Sequence, residues 1–241
     1  MSTNTGLFRV RDGAAPERVA GRLTTPDGAG TISEQLVVAF DGPDTLLASG
    51  HPAAEETALP PALGLIRSDD AGRTWTPVSE LGTADFHAIR RSGDRLVGAL
   101  YGESLLLASR DDGRTWEDRA APRVLVDLVL DPADPRRWVA TAPDGVWLSR
   151  DEGGTWRPVD PTPNSYLAWP APDALYRLDP GGPLMVSRDG GGRWEERGST
   201  GGEPRALTAP GPDVLYAALL DGTVKRSRDG GRTWQVVLGG G

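Results

Sequence analysis

Ser109-Arg-Asp-Asp-Gly-Arg-Thr-Trp116 is the stretch on which the fold turns, because the chain repeats it. Ser68-Asp-Asp-Ala-Gly-Arg-Thr-Trp75, Ser149-Arg-Asp-Glu-Gly-Gly-Thr-Trp156, Ser187-Arg-Asp-Gly-Gly-Gly-Arg-Trp194 and Ser227-Arg-Asp-Gly-Gly-Arg-Thr-Trp234 follow the same pattern. Their initial serines stand 41, 40, 38 and 40 residues apart, and so even a period means one structural unit per repeat. Each position has a physical reading. The third-position Asp, such as Asp111, offers its carboxylate to backbone N–H groups two residues on. Gly at the fifth, such as Gly113, supplies a positive φ that other residues reach only at a cost. Ser and Thr tie the remaining polar groups of the turn, and Trp returns along the next strand to pack on the unit. The phrase therefore reads as a lock on a hairpin. Asp70, Asp111, Asp151, Asp189 and Asp229, with Trp75, Trp116, Trp156, Trp194 and Trp234, are read as structural residues, not catalytic ones. The fourth copy has Arg193 in place of Thr, which predicts a looser turn there.

Around each lock lie short runs rich in β-branched, leucine and aromatic residues, bounded by Gly, Pro and Asp. In the unit from Asp85 they are 86–90, 96–100, 105–109 and 116–119; in the last unit, 205–209, 214–219, 223–227 and 234–238. Four antiparallel strands per ~40 residues, repeated radially, are the sequence form of a β-propeller blade. The expectation is an all-β, single-domain propeller of four-stranded antiparallel blades, with five complete blades over residues 33–241.

Composition agrees with this and excludes several chemistries. Among 241 residues, 32 Gly and 21 Pro would interrupt helices throughout, while 38% apolar residues suffice for a core. With no cysteine, disulfides, Cys-ligated metals and thiol nucleophiles are ruled out. A net charge of −8 argues against a nucleic-acid partner. No stretch approaches the ~18 apolar residues of a membrane span. As written, the N-terminus shows no secretion signal, and the expectation is a cytoplasmic protein.

The box S-x-D-x-G-x-T-W at this spacing resembles the Asp-box, or bacterial neuraminidase (BNR) repeat, of sialidase-like propellers. Residues 6–13, 46–52, 63–68 and 84–88 extend the likeness to bacterial proteins usually described as sialidase-like or glycosyl-hydrolase BNR-repeat proteins. The resemblance implies the fold; for that family it implies no established biochemical role. Sialidase chemistry needs an arginine triad, a Tyr nucleophile with a Glu, and an Asp acid, and the Arg-Ile-Pro that opens such enzymes is absent. Tyr101 with Glu103 nearby, and Tyr166, are the tyrosines left outside the expected core, and no catalytic set is recognisable.

Residues 1–32 break the count. Gly6-Leu-Phe-Arg-Val10 aligns with the third strand of the other units, Asp12 falls at the box Asp position, and 17–20 aligns with a fourth strand. The segment reads as a partial blade with a degenerate Asp box, making the whole six-bladed with an incomplete first blade. Two explanations stand: a start placed too far downstream, or a naturally shortened propeller. In the first, upstream residues would hold the inner strands, with a His-x-His-Gly-like sequence by resemblance, and a leader sending the protein outside the cell or to its envelope.

Connections from strand two to three, and from strand four to the next blade, share the face opposite the boxes. On it fall the long insertion 51–63 and both histidines of the chain, His51 and His87, with Asp85 two residues before His87. Loops on a rigid scaffold carry function more often than the scaffold does. Two imidazoles and a carboxylate suit a divalent metal, with His51 and His87 as ligands, or proton transfer; the plainer reading is that each His bonds a loop carbonyl. The candidate ligand-binding set is His51, Asp85, His87, Tyr101, Glu103, Tyr166 and Arg205. The expected role is non-catalytic binding of a small molecule, glycan or protein through this face. The alternatives are a glycoside hydrolase or metal-assisted hydrolase centred on His51, Asp85 and His87, and assembly scaffolding.

Overall fold

The computed structural model describes residues 2–3, 6–9, 17–19, 21–32, 34–53, 55–100 and 102–240. Five short strands come first: β1 (Ser2–Thr3), β2 (Gly6–Arg9), β3 (Glu17–Val19), β4 (Gly21–Thr25) and β5 (Gly28–Ile32). The blades follow. The first is β6 (Glu34–Phe40), β7 (Leu46–His51), β8 (Leu65–Ser68) and β9 (Thr74–Ser79), and the second β10 (Phe86–Ser92), β11 (Arg95–Leu100), β12 (Leu105–Ser109) and β13 (Glu117–Ala120). The third is β14 (Asp127–Leu130), β15 (Trp138–Ala142), β16 (Gly145–Ser149) and β17 (Arg157–Asp160). The fourth is β18 (Tyr166–Ala171), β19 (Ala174–Leu178), β20 (Pro183–Ser187) and β21 (Glu195–Ser199). The fifth is β22 (Pro204–Thr208), β23 (Leu215–Leu219), β24 (Val224–Ser227) and β25 (Gln235–Leu238).

The chain is an all-β propeller of four-stranded antiparallel blades, five of them, each with its strands side by side in chain order. Expected strand bounds hold to within a residue or two, except that Trp116 and Trp234 lie just ahead of their strands. Residues 1–119 and 120–241 form two compact units. Inside each unit, neighbouring blades pack face to face. Leu47 and Leu65 of the first blade join Phe86, Ile89 and Leu96 of the second in one cluster; Tyr176 and Leu184 of the fourth join Leu207, Leu215 and Ala217 of the fifth. A strand covered on both faces has no solvent side, so β7, β11 and β15 are buried along almost their whole length with no alternation, and are mostly apolar.

The boxes close the hairpin between the third and fourth strands of every blade, as the second blade shows. Ser109 Oγ accepts from the amides of Gly113 at 2.9 Å and Asp111 at 3.3 Å, and donates to Asp111 Oδ1 at 2.8 Å. The same Oδ1 accepts from the amides of Arg114 and Thr115 at 3.1 and 2.9 Å, while the Thr115 hydroxyl donates to Oδ2 at 2.7 Å. The carboxylate thus reaches three and four residues ahead, where the sequence suggested two; the serine makes the shorter bridge. The fourth residue of the box shares the positive φ of the fifth, at 59° in Ala71, 60° in Asp112 and 58° in Glu152. Arg193 does not loosen its turn. Asp189 Oδ1 still takes the amides of Gly192 and Arg193, both at 2.9 Å, because the backbone bonds need no threonine.

Two features lie outside the repeat. Hairpin β4–β5, which the sequence did not announce, lays β4 parallel on the outer strand β9, pairing Leu23 with Trp75. An outermost strand presents unpaired amides and carbonyls, and here they are covered. Trp75 becomes 1% exposed, whereas Trp116, Trp156, Trp194 and Trp234 stay partly exposed. The second feature is the sheet β1–β2–β3. A Cβ added to Gly72 of the first box would meet Leu7 Cδ2 at 2.8 Å, just as one on Gly113 would strike Leu65 and one on Gly231 would strike Leu184. Leu7 therefore holds against the first box the place that Leu65 holds against the second. The degenerate box at Asp12 lies outside the described residues.

In the second unit one cation is buried. Arg177, with a side chain 3% exposed, forks onto Asp179 at 2.7 and 3.1 Å, stands 3.0 Å from Asp160 at ion-pair distance, and lies 4.6 Å from the ring centre of Trp194.

Two outcomes follow from these bonds. The hydroxyl and amide of Thr115, then the hydroxyl of Ser109, hold the Asp111 carboxyl down at about 2. The folded box thus binds a proton more weakly than the unfolded chain does, so its stabilisation is fully present above about pH 4 and lost as the pH falls through about 2. Melting temperatures of wild type and Asp111→Asn should differ most near neutrality and converge across that range. Replacing Arg177 by Met leaves Asp160 and Asp179 without their cation and should cost about 3–5 kcal/mol in urea unfolding; a loss within error of zero would remove the ion pair from the stability of this unit.

Candidate functional site

Two of the candidate groups assemble, one in each unit. In the first, His51 closes β7 and Asp85 immediately precedes β10, both on the face opposite the boxes. Asp85 Oδ2 stands 3.2 Å from His51 Nε2 and 3.3 Å from His87 Nε2. The spacing of Asp85 and His87 places them on one side of the strand entry, as read from the sequence; the convergence with His51 comes from packing of adjacent blades. Asp85 Oδ1 is buried without a hydrogen-bond partner. His51 Nδ1 lies 2.6 Å from the carbonyl oxygen of Pro61. A carbonyl oxygen only accepts, so this contact calls for the proton on Nδ1 and leaves Nε2 facing the carboxylate. The imidazoles are open to solvent, with side chains 43% and 49% exposed, around a carboxylate that is 20% exposed. Among the described residues, no group of three or more His, Asp and Glu side chains is arranged to hold a metal ion.

The long insertion is not a free loop. Leu59 and Leu63 are buried in the core of the first blade. The Ala53 amide donates to Thr31 of β5 at 3.3 Å, and Glu56 takes the amides of Thr31 and Ala58 at 3.1 and 2.9 Å. Those two amides, Ala58 first, hold the Glu56 carboxyl below its ordinary range. Hairpin and insertion, the two departures from the repeat in this region, are thus partners. The sequence places Glu56, with Glu34 and Glu55, within reach of the histidines, but its bridging role and that of the Pro61 carbonyl could not be read there, where the only signal was that the insertion exceeds the repeat.

In the second unit, Tyr166 opens β18 and Arg205 sits one residue into β22. Burial pushes the Tyr166 phenol up; the charge of Arg205 acts against that shift and the charge of Asp127 adds to it. Asp127 itself serves the scaffold, accepting from the amides of Leu128 at 2.7 Å and Leu167 at 2.9 Å. Asp144 binds Arg123 at 2.9 Å and accepts from the indole N–H of Trp147 at 3.1 Å. Glu103 is exposed in the turn before β12, and Tyr101 lies outside the described residues. A shallow hollow of about 100 Å³ is lined by Arg226, Arg228, Asp229, Thr233 and Gln235, well below the several hundred Å³ of a small-molecule site. No helix of the described residues is long and apolar enough to cross a membrane.

No family model matches the chain. Over 149 residues it is 31% identical to the dispase autolysis-inducing protein of Streptomyces mobaraensis, a match covering 57% of this chain and 36% of that protein. The chain therefore spans little more than a third of that curated relative. Among solved structures it is similar to the propeller of a nidogen/laminin complex, with TM-score 0.61, 15% identity and 93% and 86% of the two chains covered. It is also similar to a GH74 enzyme of Niastella koreensis, with TM-score 0.59, 15% identity and 97% and 37% covered. A GH74 xyloglucanase of Xanthomonas campestris gives TM-score 0.52, 24% identity and 85% and 32% covered. These likenesses show the propeller fold.

Because Arg205 opposes the effect of burial on Tyr166, Arg205→Ala should move the tyrosine titration, followed by ultraviolet absorbance against Tyr166→Phe, to still higher pH. A shift to lower pH would show that the guanidinium does not stabilise the phenolate.

Proposed function

We propose that the chain is a non-catalytic propeller of the Asp-box, sialidase-like kind that binds a protein partner through the face opposite its boxes. It is six-bladed, with residues 1–32 contributing an incomplete blade to a single domain over 1–241. The place of Leu7 against Gly72 supports the sixth blade. The observation that carries the partner is the 149-residue likeness to a protein named for inducing the autolysis of dispase, an effect of one protein on another. The half-exposed imidazoles of His51 and His87, at the end of β7 and the start of β10, suit a protein surface better than an enclosed substrate.

A second reading is favoured by one observation. The carboxylate of Asp85, shared by two imidazoles, is an arrangement that can orient a histidine for proton transfer, and it supports the alternative of a glycoside hydrolase or metal-assisted hydrolase centred on the same three residues.

The two readings part in one set of assays. Incubated with dispase, the chain should bind it in a surface-based measurement and speed the loss of intact protease, and His51→Ala with His87→Ala should weaken both. It should turn over none of a panel of fluorogenic glycosides and give no heat with zinc. Turnover abolished by Asp85→Asn would overturn the non-catalytic reading in favour of the hydrolase.

A further inference from the structure

We infer that the 52–63 insertion and hairpin β4–β5 form one positioning device for the His51–Asp85–His87 cluster, with Glu56 as its latch. The insertion reaches both ends of the cluster through its own backbone. On one side, the Pro61 carbonyl holds His51 Nδ1 at 2.6 Å. On the other, the Ala62 carbonyl accepts from the Gly82 amide at 2.8 Å, and the Gly64 amide donates to the Ala84 carbonyl at 3.1 Å; the residue after Ala84 is Asp85. The end of the insertion and the glycine that follows it, residues 61–64, thus orient the imidazole and fix the strand entry that carries the carboxylate.

The insertion is itself held from its far side by β5. Glu56 receives one amide from β5 and one from its own loop, so its carboxylate fastens the two segments together. The fit is close: a Cβ on Gly30 of β5 would fall 2.5 Å from the Glu56 carboxyl carbon. Gly30 does not occupy the left-handed region of φ, so its lack of a side chain answers to the space that Glu56 fills. Charged hydrogen bonds of this kind are stronger than neutral ones and the loss of one frees the other. A repeat unit of ordinary length has neither the insertion nor the hairpin, and the other four blades carry no equivalent pair. Glu56 is therefore a positioning residue, acting on His51 through Pro61 without touching it. Its consequence for binding rests on the reading that this cluster faces the partner; its effect on the histidine does not.

The chain contains two histidines, so the imidazole region of an NMR spectrum holds two sets of ring signals, assigned by His51→Ala and His87→Ala. Spectra are compared for the full chain without any partner, as wild type, Glu56→Gln, Gly30→Ala and the exposed hairpin control Thr24→Ala. The expected result is a displacement of the His51 ring signals and faster exchange of its Nδ1 proton in both Glu56→Gln and Gly30→Ala, with neither change in Thr24→Ala. Far-ultraviolet circular dichroism of each variant establishes that the blades remain folded. His51 signals unmoved in the two folded variants would overturn the inference whatever the partner proves to be. If the signals move and dispase binding by wild type is absent, the device stands and the partner reading fails.

Discussion

Everything in this molecule hangs from a serine hydroxyl and an aspartate carboxylate that between them collect three to five backbone and hydroxyl groups in each box. A hairpin turn with two consecutive residues at positive φ is costly on its own, since one of them is in three boxes not glycine. The carboxylate offsets that cost by accepting the amides that the turn leaves pointing inward. Once closed, the hairpin sets strands three and four of the blade in register and aims the box glycine at a large apolar side chain, Trp138 for Gly153 and a leucine in the other four boxes. In the first unit that leucine comes from the preceding strands, Leu7 for Gly72 and Leu65 for Gly113. A local hydrogen-bond lock is thereby converted into blade-to-blade packing, and the repeat propagates.

The departures from the repeat are concentrated in the first blade, and they are mutually dependent. Covering β9 with β4 buries Trp75; continuing into β5 presents Thr31 to the insertion; the insertion in turn presents Pro61 to His51. The first blade is thus the one with a shielded outer edge and the one whose loop-face residues are fastened from behind. In the second unit the corresponding face is organised differently, around Tyr166 with Arg205 and around Asp144 with Arg123 and Trp147. There the polar groups are paired with cations, and the aspartates serve strand entries and indoles. That division explains why the candidate residues, which looked like one set along the chain, belong to two separate groups.

Much of the fold was legible because box residues act locally. Ser109, Asp111 and Thr115 reach no further than four residues, so their pattern alone shows the turn and, by repetition, the blade. The same locality explains the error over Arg193: threonine looked essential from the pattern, yet its hydroxyl adds one bond to a turn already closed by the backbone. The candidate site was legible only in part. That His51 and His87 share a face follows from counting strands, but that both meet one oxygen of Asp85 depends on how two blades pack. Glu56 carried no motif, and the role of Gly30 appears only when the carboxylate beside it is seen.

By itself the sequence determined the strand order, the blade unit, the place of each box and the face on which the histidines lie. These are consequences of short-range chemistry at a fixed period. Only the tertiary structure decided that the insertion is clamped by an unannounced hairpin, that Trp75 is sealed while its four counterparts stay partly open, and that Asp85 joins both histidines while Tyr166 joins Arg205. Those facts rest on contacts between segments tens of residues apart, whose geometry is set by the packing of sheet on sheet and leaves no periodic trace along the chain.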